Sequence, residues 1–145
     1  RISTWEFLKS ELGNITLKDY SFKKYNSLLS ELLKDKLPIY SAAYIMASSK
    51  STFGYERKHQ NHLKLIELML QNRLPFKIQD SKNMEEVFNL FLSFPTIGEF
   101  LAYQYTTDVN YSSLTNFSEM EFVKAGPGAK DGITKCFKDS FVVFS

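Results

Sequence analysis

Three pairs in this chain, each a short polar side chain three residues ahead of a glutamate, read as helix-start signals: Ser3 and Glu6, Asn83 and Glu86, Ser118 and Glu121. Such a pair satisfies backbone N–H groups that the first turn of a helix leaves without partners. After the first pair, Trp5, Leu8 and Leu12 share one helical face, and Gly13 and Asn14 end the run. After the second, "NMEEVFNLFLSF" continues a helix buried through Val87, Leu90 and Phe91. The third pair precedes "AGPGA", beyond which a short helix is expected from about Ala129 to Phe137.

Apolar spacing supplies the other helices. One is expected from about Leu17 to Lys34 on the stripe Tyr25, Leu28, Leu29, Leu32 and Leu33, with Pro38 as its stop. Another, roughly Glu56 to Asn72, buries Leu63, Ile66, Met69 and Leu70, and Pro75 lies beyond its end. Pro95 to Gly98 turn the chain into a further helix that ends near Val109. The segment 39–55 has no clean period and is expected as a short ordered stretch followed by a surface loop, and "NYSSLTNF" as a loop. The result is an all-α single domain, 1–145, of about six helices. Arg1 already lies inside a helix-start pattern, and the apolar tail "FVVFS", which would suit a strand, has no stop signal. A fragment of a longer polypeptide, incomplete at both ends, is therefore expected.

Composition removes several classes. With 43% apolar residues, 13 Phe and 8 Tyr, the chain can bury a real core and is not disordered. A net charge of +2 provides no global field for polyanions, so any nucleic-acid contact must come from a local patch. The single cysteine, Cys136, excludes a disulfide framework and a cysteine-built zinc site. No apolar run approaches the roughly 20 residues of a membrane span, and no signal peptide is visible. An intracellular protein, cytoplasmic or nuclear, with no membrane partner and no cofactor is expected.

The stretch "FPTIGEFLAYQ" carries the chemistry. A glycine turn between two helices exposes the unpaired N–H groups that open the second helix, where the helix dipole adds partial positive charge. Phosphate can bind there without a lysine, and Gly98, lacking a Cβ, lets a backbone approach. Ala102, one turn later, lets two helices cross tightly. A plain structural corner has the same P-x-x-G outline. "FPTIGEFLA" resembles the helix–hairpin–helix turn of base-excision DNA glycosylases, usually leucine, proline, glycine, hydrophobic, glycine. Pro95, Ile97, Gly98 and Ala102 match; Thr96 replaces the first glycine and Glu99 adds a negative charge.

That resemblance implies a carboxylate about twenty residues after the glycine, stabilising a sugar cation or activating a nucleophile. Glu119 and Glu121 stand 21 and 23 residues after Gly98. The alternative role for Glu121 is simply to cap a helix. The positions at which strand-cutting glycosylases carry a Schiff-base lysine hold Asn89 and Phe100, so no lyase step is expected.

The chain as a whole resembles the helical domain of the 5-hydroxymethyl-deoxyuridine DNA kinases and is equally similar to the alpha-glutamyl/putrescinyl thymine pyrophosphorylases. The matching blocks are "STWEFL", "IYSAAYIM", "KHQNHL", "PTIGEFLAYQ", "DVNYS" and "SEMEFVKAGPGAKDGITKCF". The resemblance implies a glycosylase-like fold and, as substrate class, DNA carrying an altered pyrimidine. In that family aspartate often stands where Glu121 is. A segment expected before "STWEFL", an acidic one after "KCF" and the Walker A sequence of the kinase members are all missing.

Other residues extend the candidate site. The glycines of "AGPGAKDG", Gly126 and Gly128 among them, suit an anion nest as well as an ordinary helix entry. Lys124, Lys130 and Lys135 would supply local charge for phosphate, or a solvated face. Gln104 suits a base edge, and Tyr103 and Tyr105 suit stacking on an extruded base, although most aromatics must be core. His59 and His62 have a metal-pair spacing but no third ligand nearby in sequence, so no metal is expected. Because the resemblance covers their block, Lys58 and His59 join Tyr103 as base-pocket candidates, with His62 beside them.

Three functions remain open. The first is a glycosylase-like domain that acts on or recognises a hypermodified thymine or 5-hydroxymethyluracil in DNA. The second is a non-catalytic DNA-binding domain that presents substrate to a fused or partner catalytic domain. The third is a plain helical interaction module.

Overall fold

The computed structural model describes residues 3–41 and 46–137. The described residues form eight α-helices and no strand: α1 (Thr4–Leu12), α2 (Phe22–Lys34), α3 (Lys50–Phe53), α4 (Lys58–Gln71), α5 (Leu74–Gln79), α6 (Met84–Leu92), α7 (Glu99–Asn110) and α8 (Pro127–Cys136). The all-α class is as expected. The expected strand at the tail and the segment 42–45 lie outside the described residues. The chain divides into two compact units: the chain up to Phe76 with Phe94–Thr96, and Lys77–Ser93 with the chain from Ile97 onward.

Helix starts follow local hydrogen bonding. At α1 the Glu6 N–H donates to Ser3 Oγ (3.2 Å), and the Ser3 N–H donates to Glu6 Oε2 (2.8 Å), a reciprocal capping box. At α6 the Glu86 N–H donates to Asn83 Oδ1 (2.9 Å), while the Glu86 carboxylate accepts from the Lys82 N–H instead (2.8 Å). The Ser118–Glu121 pair opens no helix. It makes a main-chain turn, Glu121 N–H to Ser118 O at 3.3 Å, and the next helix waits for Pro127, whose missing N–H is harmless in a first turn.

α2 begins later than its apolar spacing suggests. The Asp19 N–H bonds Thr16 Oγ1 (3.3 Å) in a local turn that competes with helix, and Ser21 then caps α2. Two short helices exceed the expected six. α3 falls inside the expected loop, and Pro75, beyond the end of α4 as expected, stands in the first turn of α5.

In the first unit Leu8, Leu29, Leu32 and Leu63 form the core, with Phe7, Tyr20, Phe22, Tyr25 and Leu28 packed against it. The face of α4 differs from the expected stripe. Ile66 is 42% exposed and Met69 and Leu70 are half-buried, whereas His59, Asn61, His62, Leu63 and Leu65 are buried. Hydrogen bonding makes that polar face possible. Asn61, fully buried, donates from Nδ2 to Ser48 O (2.8 Å) and Tyr55 O (2.9 Å), and its Oδ1 accepts from the Tyr55 N–H (3.0 Å). His62 Nε2 donates to Ala47 O (2.8 Å), which fixes the tautomer, so Nδ1 accepts from the Tyr40 hydroxyl (2.8 Å). His59 Nε2 bonds Asn26 Oδ1 at 2.9 Å and Ser30 Oγ at 3.3 Å on α2.

In the second unit α6 turns Met84, Val87, Phe88 and Phe91 inward and packs along α7. Trp5 on α1, by contrast, is 59% exposed despite sharing a face with buried Leu8. On α7 Ala102 and Thr106 have no exposed surface, and the Thr106 hydroxyl is satisfied by Ala102 O (2.7 Å). Phe91 meets Tyr105 with ring centroids 5.6 Å apart, and Phe88 meets Phe122 at 5.3 Å. At the end of α7 Asn110 pins the following loop. Its Oδ1 accepts from the Phe117 N–H (2.9 Å) and Thr115 Oγ1 (3.1 Å), and its Nδ2 donates to Phe117 O (2.9 Å).

Asn61→Ala empties a fully buried carboxamide site and takes the partner from the half-buried Tyr55 N–H and from the Tyr55 and Ser48 carbonyls. It is expected to cost about 2–4 kcal/mol in urea unfolding, at the upper end of single hydrogen-bond losses. Burial holds both imidazoles below their ordinary 6.5, aided by Arg57 and His62 at His59; at His62 Lys58 also lowers it, while the Ala47 carbonyl opposes. The native state therefore binds fewer protons than the unfolded chain in mild acid. Stability is full above pH 6.5 and falls as the pH drops through the depressed values. Thermal unfolding at pH 5 is expected several degrees below that at pH 7.5, and a flat profile contradicts this.

Candidate nucleic-acid interface

α6 and α7 are joined by Ser93–Gly98. Along this turn Pro95 and Gly98 are exposed, Thr96 is half-buried and Ile97 is buried. Thr96 sits at φ +68°, in the left-handed region that favours glycine and penalises a β-branched residue. Gly98 is different: at φ −88° and ψ 175° its backbone suits any residue, and a Cβ there would meet nothing within 4 Å. The fold thus asks for glycine at 96, where it has threonine, and makes no such demand at 98.

Gly98 is the N-cap of α7 and supplies no side-chain cap; the first helical bond runs from the Ala102 N–H to Gly98 O (2.9 Å). The N–H groups of Glu99, Phe100 and Leu101 therefore have no partner within the helix. α8 has the same arrangement, with Gly126 as an N-cap without a side chain and Lys130 N–H on Gly126 O (2.9 Å). Both helix starts border one cavity of about 420 Å³, lined by Glu99, Phe100, Tyr103, Gln104, Lys124, Ala125, Gly126, Pro127 and Lys130. Phe100 and Tyr103, one turn apart on α7, give it an aromatic wall. Gly126 lies against the Phe100 ring, where a Cβ would be 3.6 Å away.

Charge in the cavity is mixed. Lys124 and Lys130 take part in none of the ion pairs among the described residues, whereas Lys135 is tied to Asp131 at 2.8 Å. The Lys124 ammonium is 5.3 Å from the Phe88 ring centroid. Glu99 places a carboxylate on the same wall. The Tyr103 hydroxyl reaches Phe122 O at 3.4 Å, and Gly128 is exposed just beyond the cavity's own residues.

The cavity thus gathers Tyr103, Gln104, Lys124, Gly126 and Lys130, which are dispersed in sequence. Glu119 and Glu121 are exposed on the loop after α7 and do not line it. Glu119 accepts a hydrogen bond from Tyr111, which with its charge pushes that phenol above its ordinary value. Lys58 and His59 belong to the first unit and line a different cavity with Leu33, Ile39, Tyr40 and Arg57. Phe100 and Pro127, which no site motif singles out, line the α7–α8 cavity too. The spacing of Phe100, Tyr103 and Gln104 on one helical face was the available signal. Among the described residues no group of three or more His, Cys, Asp or Glu is placed to hold a metal ion. None of the helices there is long and apolar enough to cross a membrane.

Residues 1–143 match the family described as the helical domain of 5-hmdU DNA kinase. A 5-hmdU DNA kinase of Bacillus phage SP10 is 26% identical over 115 residues, covering 70% of this chain and 18% of that protein. The chain thus spans less than a fifth of the length of this relative. No solved structure matches it.

Thr96→Gly removes about 1–2 kcal/mol of left-handed strain and returns about 0.5–1 kcal/mol through glycine's larger chain entropy. A net gain of up to about 1.5 kcal/mol is expected in urea unfolding; a loss means that the threonine side chain contributes packing that outweighs its strain.

Proposed function

Because the chain belongs to the 5-hmdU DNA kinase helical-domain family, we propose that it is a glycosylase-like DNA-binding domain that recognises or acts on a modified pyrimidine in DNA. The base is of the 5-hydroxymethyluracil or hypermodified thymine type. One observation carries the reading: two helix starts without side-chain caps, an aromatic wall and two unpaired lysines border a single cavity. In this reading the Pro95–Gly98 turn grips a backbone phosphate with the N–H groups opening α7. Phe100 and Tyr103 stack on an extruded base, Gln104 meets its edge, and Lys124 and Lys130, with the backbone at Gly126 and Gly128, meet negative charge. Glu121, or Glu119, faces the sugar or the base substituent from the loop that Asn110 holds.

A second reading is favoured by one specific observation. Neither Glu119 nor Glu121 lines the cavity, and Glu119 is engaged by Tyr111. In that case the domain binds DNA without chemistry and presents the base to a fused or partner catalytic domain.

Duplexes containing thymine, 5-hydroxymethyluracil or a bulkier substituted thymine, at two salt concentrations, test both. Wild type is expected to bind more tightly at low salt and to prefer a modified base. Gly98→Val, which the open space at this residue lets fold, is expected to lose at least tenfold in affinity. Equal binding by Gly98→Val rejects the turn as a phosphate grip. Normal duplex binding by a Glu119→Ala/Glu121→Ala variant, with no base chemistry in the wild-type chain to lose, selects the presenting role.

A further inference from the structure

The α7–α8 cavity holds charges of both signs that do not neutralise each other. Among the described residues lining it, Glu99 is the one carboxylate, and it shares the cavity with Lys124 and Lys130. None of the three belongs to an ion pair among the described residues, and the Glu99 carboxylate makes no side-chain hydrogen bond there. Lys124 is drawn to aromatic faces instead, its ammonium 5.3 Å from the Phe88 ring centroid and 5.8 Å from that of Phe122. Asp131 and Lys135 pair with each other outside the cavity, and Glu119 and Glu121 do not line it. A place in the first turn of α7, where the helix dipole favours a carboxylate, accounts for an acidic residue at this helix start. It does not account for a carboxylate left without a donor beside two ammonium groups in one cavity.

Helix geometry decides which of these groups a stacked base meets. At about 100° per residue, Glu99, Tyr103, Phe100 and Gln104 follow one another around α7 in that order, over an arc of about 140°. Glu99 and Gln104 are also separated by about 7.5 Å along the helix axis, the scale of a pyrimidine with its substituents. The aromatic wall of Phe100 and Tyr103 therefore lies between a carboxylate on one flank and a carboxamide on the other. In a pyrimidine N3, the centre of the Watson–Crick edge, lies across the ring from C6, and C5 is beside C6. A base stacked on the wall with its Watson–Crick edge at Gln104 turns C5 toward Glu99.

We propose that Glu99 reads the C5 substituent of the base held in this cavity, accepting a hydrogen bond from a hydroxymethyl group. A methyl group has no proton to donate and leaves the carboxylate without a partner. A phosphomethyl group brings a like charge and is repelled. The inference rests on the DNA-binding reading above and names, within that site, the residue that sets the preference among bases. Lys124 and Lys130 are then left to meet backbone phosphate. The alcohol is the species this cavity holds, and its phosphate ester is the species it releases.

The test compares wild type, Glu99→Gln and Glu99→Ala in binding duplexes that carry thymine, 5-hydroxymethyluracil or 5-phosphomethyluracil at one position, at fixed salt. Wild type is expected to bind the hydroxymethyl base about tenfold more tightly than either of the others, the lower end for a hydrogen bond to a charged group. Glu99→Gln keeps an acceptor and loses the charge, so it should retain most of the preference over thymine and lose that over the phosphomethyl base. Glu99→Ala should lose both preferences while unfolding thermally close to wild type, because the residue is exposed. A glutamate that served only the helix dipole would move all three affinities together and leave their ratios alone. Unchanged ratios in Glu99→Ala, with salt-sensitive duplex binding intact, overturn this inference and leave the DNA-binding reading standing. Tightest wild-type binding to the phosphomethyl base also overturns it, since the lysines then take the substituent. A wild type that binds no duplex overturns the DNA-binding reading and this inference with it.

Discussion

Each compact unit depends on an asparagine that hydrogen-bonds the backbone of a neighbouring loop. Loops between helices carry N–H and C=O groups without helical partners, and burying them unpaired is costly. A carboxamide is suited to the task because it donates and accepts through one short side chain. Asn61 closes the segment from Ser48 to Tyr55 onto α4, and Asn110 closes Thr115 and Phe117 onto the end of α7. Without the first, the polar face of α4 has no reason to point inward. Without the second, the loop carrying Glu119, Glu121 and Lys124 loses its anchor to α7.

The α6–α7 pair shows how a small residue and a strained one serve a single corner. Ala102 is small enough to vanish between packed elements, and Thr106 satisfies its own hydroxyl one turn further on. The turn that joins the helices carries its strain at Thr96, while Gly98 remains unstrained and open. Strain of this kind persists only where surrounding structure over-determines it. The packed helices on either side provide that constraint, and the exposed N–H groups opening α7 are its product.

Much of the helical order was legible in the sequence because its causes are local. Ser3 with Glu6 and Asn83 with Glu86 announce helix starts through side chains three residues from the groups they satisfy. The same signal misled at Ser118 and Glu121, where Gly126 and Pro127 supply the helix start instead. Periodicity misplaced the face of α4, since a hydrophobic stripe cannot reveal that His59, Asn61 and His62 have partners at Asn26, Ala47 and Tyr55. Ile66 is left at the surface for the same reason. The candidate site was legible as residue types: Tyr103, Gln104, Lys124, Gly126 and Lys130 each had a stated role. Phe100 beside them is marked by no site motif, and Lys58 and His59 line a cavity within the first unit.

The sequence by itself determined the all-α class, the main helix starts, the corner at Pro95–Gly98 and the family, because each is written in contacts or motifs a few residues long. Tertiary structure decided which polar side chains are buried, which helix starts share a cavity, and which lysines remain without a carboxylate. Those outcomes depend on groups distant in the chain. His59 with Asn26 and Phe100 with Gly126 acquire their relation only when helices pack, and no local spacing encodes it.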